Sequence, residues 1–101
     1  MDENAFKDIN RDLIKLDFTG CKDLGEIHKV LKDTFGFPEY YGENWSALWD
    51  CLRSRFDHVV AIEIYGLNTL PKEFTEQVEI MIRIFKRVEN NSPNMYFIYI
   101  S

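Results

Sequence analysis

Few side chains in this sequence are suited to covalent or metal chemistry. Two cysteines, Cys21 and Cys51, and two histidines, His28 and His58, supply all its thiol and imidazole groups. None stands at metal-ligand spacing from another. No Gly-x-Ser-x-Gly elbow, Walker-type glycine loop or dinucleotide fingerprint is present. A Cys51 nucleophile with His58 as base would need an accessible thiol. Cys51, however, lies between Leu48 and Leu52, on the helix side expected to face the core. Both cysteines are expected as small buried apolar residues, and both histidines as partly exposed helix or strand-end residues. No catalytic residue, metal or cofactor is expected.

Carboxylates and aromatics are distributed more tellingly. Residues 33–52 hold Asp33, Glu39, Glu43 and Asp50 and neither Lys nor Arg, while the rest of the chain sets 12 basic against 13 acidic side chains. The same segment holds Phe35, Phe37, Tyr40, Tyr41, Trp45 and Trp49, six of fifteen aromatics. Glu43 and Asp50 would make a carboxylate pair for acid–base work, but no nucleophile or cleft residue supports it. Binding fits better, because Tyr and Trp give rigid contact area with a polar handle and Asp gives a carboxylate that Arg can grip. On a helix, Ser46, Trp49, Asp50 and Arg53 fall at i, i+3, i+4 and i+7, away from Leu48, Cys51 and Leu52. A Trp beside an Asp, next to a Tyr-rich loop, has the composition of a binding hot spot. A competing reading puts Trp45 and Trp49 in the core and the acids on a solvated surface. Composition leaves both open.

The elements that must position these residues follow from periodicity. Leu13 to Phe18 alternates, with Ile14, Leu16 and Phe18 on one face, as a strand with one wet face or an edge strand does. Asp23 with Glu26 reads as a helix start, Leu24, Ile27, Leu31 and Phe35 recur at helical spacing, and Gly36 ends the helix. Asn44 caps a second helix from Trp45 to about Arg53. His58 to Tyr65 is a near-continuous apolar run, expected as a central strand covered on most of its length. Gly66, Asn68 and Pro71 mark a turn. A long helix runs from about Thr75 to Glu89, with Val78, Met81, Ile82, Phe85 and Val88 as its core stripe, widened by Ile80 and Ile84. Asn90-Asn91-Ser92-Pro93 stops it, and Met95 to Ile100 is the last strand. Helices between successive strands imply crossovers, hence an α/β fold with a three-stranded parallel sheet in order 1-2-3.

Composition bounds the rest. With 46% hydrophobic residues the chain can fill one core without disulfides, which excludes intrinsic disorder. We expect one domain over residues 1–101, with 1–11 as an N-terminal extension docked by Phe6 and Ile9. A net charge of −5 argues against a nucleic-acid partner, since holding phosphate backbones takes a basic surface. Met1-Asp2-Glu3-Asn4 lacks the positive start of a secretory segment, and no apolar run reaches the ~20 residues that span a bilayer. A cytoplasmic protein without membrane contact, monomeric when free, is expected.

Residues 38–52 read Pro-Glu-Tyr-Tyr-Gly-Glu-Asn-Trp-Ser-Ala-Leu-Trp-Asp-Cys-Leu, and this run resembles the barstar family of intracellular ribonuclease inhibitors. The similarity extends more weakly from about Leu13 to Ser101. It implies a small three-stranded parallel sheet packed with helices. It also implies an inhibitor that presses its second helix and the preceding loop into a ribonuclease or related nuclease toxin, as an immunity protein does. By the resemblance, Tyr40 and Trp49 match aromatic contact positions, Asp50 the central carboxylate, and Gly42 and Asn44 loop positions in the interface. The sequence departs from the family pattern at Ser46, where a second carboxylate is expected, and at Arg55, where an aromatic contact is. Ser54 replaces a glycine, and Arg87 an interface acid. These departures leave an alternative open: a divergent barstar-like interaction module with a partner other than a ribonuclease.

Overall fold

The computed structural model describes residues 13–53, 55, 56, 58–92 and 94–101. The expected N-terminal extension and Ser54 lie outside the described residues. Three strands, β1 (Leu13–Asp17), β2 (Val60–Tyr65) and β3 (Met95–Tyr99), form one parallel sheet in the order β1-β2-β3. The described residues also form three helices, α1 (Leu24–Phe35), α2 (Trp45–Leu52) and α3 (Thr75–Asn91), and two single 3-10 turns precede α3. The expected α/β class, element order and strand order all hold.

Register explains which face is covered. Ile14 stands beside Ile62 and Leu16 beside Ile64, while Val60 meets Met95 and Ile62 meets Phe97. Leu16, Val60, Ile62 and Ile64 are fully buried. The alternate positions are not, and Tyr96 and Ile98 on β3 stay exposed. β2 was expected to be covered on most of its length; instead burial alternates along it, and Ala61, Glu63 and Tyr65 are only half-buried. Among the described residues the other face holds mixed side chains, and Tyr65 donates to Glu63 at 2.7 Å there. β2 begins at Val60, not His58, which lies exposed before it. The β3 edge is closed locally by α3, where Glu89 Oε2 accepts the Phe97 N–H at 2.7 Å. A carboxylate on an edge amide blocks the pairing site that a second strand would need.

Local signals set the helix ends. Asp23 accepts from the Glu26 N–H at 2.8 Å, and Glu26 reaches back to the Lys22 N–H, a variant of the capping box. At the other end Gly36 adopts φ 67°, and the Gly36 and Phe37 N–H groups both return to the Lys32 carbonyl. On α3, Met81, Phe85 and Val88 are buried and Phe85 stacks on Phe97 at 4.3 Å. Val78, Ile80, Ile82 and Ile84 of the expected stripe are half-buried. Gly66 (φ 84°) must be glycine, because a Cβ there would lie 2.4 Å from the Thr19 backbone nitrogen.

Candidate functional site

The loop before α2 is shaped by two buried pegs. Phe37 and Tyr41 are buried with ring centres 5.0 Å apart, and the Tyr41 N–H closes a turn onto the Pro38 carbonyl at 2.9 Å. Tyr40, between them, is 84% exposed. Glu43 takes φ 52°, a left-handed conformation uncommon for a residue with a side chain. Asn44 then caps α2: its Oδ1 accepts the Ala47 N–H at 2.8 Å and its Nδ2 donates to the Gly42 carbonyl at 3.2 Å. Gly42 and Asn44 thus hold the loop–helix junction and line neither groove beside it.

Helix α2 is divided as its periodicity predicts. Leu48 and Leu52 are fully buried, Trp49 is half-buried, and Ser46, Asp50 and Arg53 are exposed. Cys51 is only half-buried, at the margin of the core rather than inside it. Burial, and then the neighbouring Asp50, push its thiol pKa up, which keeps it protonated and unreactive.

Two grooves meet at Asp50. The first, about 390 Å³, is lined by Trp45, Ser46, Trp49 and Asp50 from α2 and by Ile84 and Arg87 from α3. The second, about 340 Å³, is lined by Phe37, Pro38 and Tyr40 from the loop, by Asp50 and Cys51, and by Arg55. Asp50 has no ion-pair partner among the described residues. Arginines surround it nonetheless. The Arg87 guanidinium lies 4.2 Å from the centre of the Trp49 ring and that of Arg53 at 5.9 Å. Arg55 is partly committed elsewhere: its Nε donates to the Phe35 carbonyl at 2.6 Å, capping the end of α1, and its guanidinium lies 4.8 Å from the Phe56 ring.

Residues 11–99 match the family model described as Barstar (barnase inhibitor). The chain belongs to the barstar family. A Bacillus subtilis (strain 168) protein named "Putative ribonuclease inhibitor YrdF" is 43% identical over 44 residues, which make up 44% of this chain and 48% of that protein. The match thus spans about half the length of that relative. The barstar family is one of inhibitors, proteins that bind an enzyme rather than act as one.

Three side-chain placements in this barstar-family chain were not legible in the sequence. His28 is buried, not partly exposed: its Nδ1 lies 2.7 Å from the Tyr41 hydroxyl and its ring 4.5 Å from that of Trp45. Burial lowers its pKa, opposed by the nearby Glu43 carboxylate. The Tyr41 hydroxyl is pushed up mainly by the same burial. Trp45 serves inside and outside at once. It is half-buried, its Nε1 donates to Gln77 Oε1 on α3 at 2.7 Å, and it also lines the first groove. Finally, the acids of residues 33–52 do not sum to an equally acidic surface. Asp33 pairs with Lys29 at 3.0 Å and Glu39 with Lys32 at 3.3 Å, so two of the four already face a cation.

Ile84 and Gln77 were not singled out from the sequence as site residues. Ile84 had a signal, since it widens the α3 stripe beyond what the core covers. Gln77 had none. Among the described residues no helix is long and apolar enough to cross a membrane, and no three His, Cys, Asp or Glu side chains cluster as metal ligands.

Proposed function

We propose that this barstar-family chain inhibits a ribonuclease by seating α2 and the loop at residues 37–44 in the enzyme's active site. The observation that carries the reading is Asp50, an exposed carboxylate without an ion-pair partner among the described residues, where two aromatic-lined grooves meet. An RNA-cleaving site must hold phosphates, so it is cationic. A carboxylate entering it receives charge-assisted hydrogen bonds, while Tyr40 and Trp49 supply the surrounding area that excludes water. The surface is rigidly carried: Leu48 and Leu52 anchor α2 in the core and Asn44 fixes its start. Binding then costs little ordering entropy. Free cysteines Cys21 and Cys51 suit a reducing cytoplasm, where such an inhibitor acts as an immunity protein for the cell that makes the nuclease.

The test is titration of the pure protein into barnase cleaving a fluorogenic RNA substrate, with and without a nucleotide that fills the active site. Stoichiometric loss of cleavage, weakened by the nucleotide, is expected. Inhibition indifferent to the nucleotide would contradict occupancy of the active site.

A further inference from the structure

Three surface features remain besides Asp50 itself. The β3 edge is closed by Glu89 on the Phe97 amide. The small apolar groove of about 130 Å³ between Leu67 and Val78 shows nothing that selects an occupant. The third is the arginine cluster on Trp49, and there the charges themselves say what must come.

We infer that Arg87, with Arg53, is a charge-selecting element: it favours a ribonuclease presenting a carboxylate beside the cations that receive Asp50, and disfavours one whose active-site rim is uniformly cationic. The inference rests on the proposed ribonuclease reading. Two guanidinium groups lie within 6 Å of one indole, at 4.2 and 5.9 Å from its centre. Each is attracted by the ring's quadrupole, but they repel one another. Neither has a carboxylate within ion-pair distance among the described residues. Asp50 lines the same groove as Arg87 and pairs with neither arginine. Asp50 and Arg87 therefore share one groove, each without an ion-pair partner among the described residues. Arg87 is exposed on the ordered helix α3, and Trp49 is packed against the core, so the guanidinium is presented from a fixed platform.

A partner complementary to this surface must carry both signs in the same order. A uniformly cationic rim would satisfy Asp50 and set a cation against Arg87. Like charges placed face to face across an interface are a strong means of rejecting a wrong partner. A carboxylate on the partner would instead receive the guanidinium, relieve the repulsion between Arg53 and Arg87, and close over the Trp49 ring.

The probe is barnase and a panel of its variants, each with one Lys or Arg at the active-site rim replaced by Glu. The panel is titrated calorimetrically against the parent chain, Arg87→Glu, Arg87→Ala and Asp50→Ala, with melting curves to show that each folds. Expected is that Arg87→Glu binds unmodified barnase at least about tenfold more tightly than the parent. At least one Glu-bearing barnase should reverse that preference, and Arg87→Ala should fall between. A parent that binds a Glu-bearing barnase more tightly than the unmodified enzyme would support the inference equally. If parent and Arg87→Glu bind every barnase alike, or bind none, the inference is overturned. The Asp50→Ala arm separates the two readings: undiminished binding by that variant defeats the proposed active-site reading, whatever Arg87 does.

Discussion

The imidazole of His28 on α1 and the phenol of Tyr41 in the loop before α2 meet at 2.7 Å inside the protein. This contact ties the first helix to the segment that presents Tyr40. It also makes stability depend on pH. Burial depresses the folded-state pKa of His28 below its usual 6.5, and Glu43 opposes the shift without cancelling it. The unfolded chain therefore takes up its proton first as pH falls, so the contribution is whole above 6.5 and is lost as pH falls through the folded value. The melting temperature should decline on acidification below about pH 6.5, and His28→Gln should flatten that stretch. An unchanged slope in His28→Gln would show that other groups set it.

Leu48→Ala removes a fully buried side chain from the inner face of α2. Cavity formation at such a site costs about 2–5 kcal/mol, which for a domain of this size is a melting temperature lower by roughly 10 °C or more. Calorimetric melting checks it.

Ser46→Asp places a carboxylate in the first turn of α2, in the groove that Asp50 shares. Attraction to the helix N-terminus contributes about 0.3–1 kcal/mol, and repulsion from Asp50 four residues on costs about 0.2–0.5 kcal/mol. Stability should thus stay nearly level, while affinity for a cationic ribonuclease rises. Paired melting and titration measurements read the two effects separately.

Association with a cationic ribonuclease should slow as salt is added, because the chain carries a net charge of −5 and opposite fields accelerate encounter. Arg53, Arg55 and Arg87 around Asp50 should keep that dependence shallow. Stopped-flow rates should therefore show a steeper salt dependence for Arg87→Glu than for the parent.

The order of strands and helices was legible because it rests on local periods, and the caps at Asp23, Gly36 and Asn44 because they depend on neighbours three or four residues away. Where contacts join distant segments, the sequence was silent. Trp45 finds Gln77, and Arg55 finds the Phe35 carbonyl, across 32 and 20 residues respectively. Neither pairing leaves a local pattern. His28 was misplaced for the same reason, since its burial is made by Tyr41 and Trp45 closing over it from the loop and α2. The acidity of residues 33–52 misled in a different way. Lys29 and Lys32 lie just upstream on α1, and folding brings them onto Asp33 and Glu39.

Asp50→Ala measures the central claim most directly, by titration calorimetry against barnase with melting curves alongside. Removing a carboxylate that meets desolvated cations in an interface costs about 2–5 kcal/mol of binding or more, because the cations are left unpaired. The same substitution at an exposed helical position should change stability by no more than about 0.5 kcal/mol. The account predicts that Asp50→Ala melts with the parent and binds at least about thirtyfold more weakly. An Asp50→Ala variant that binds as tightly as the parent would contradict it.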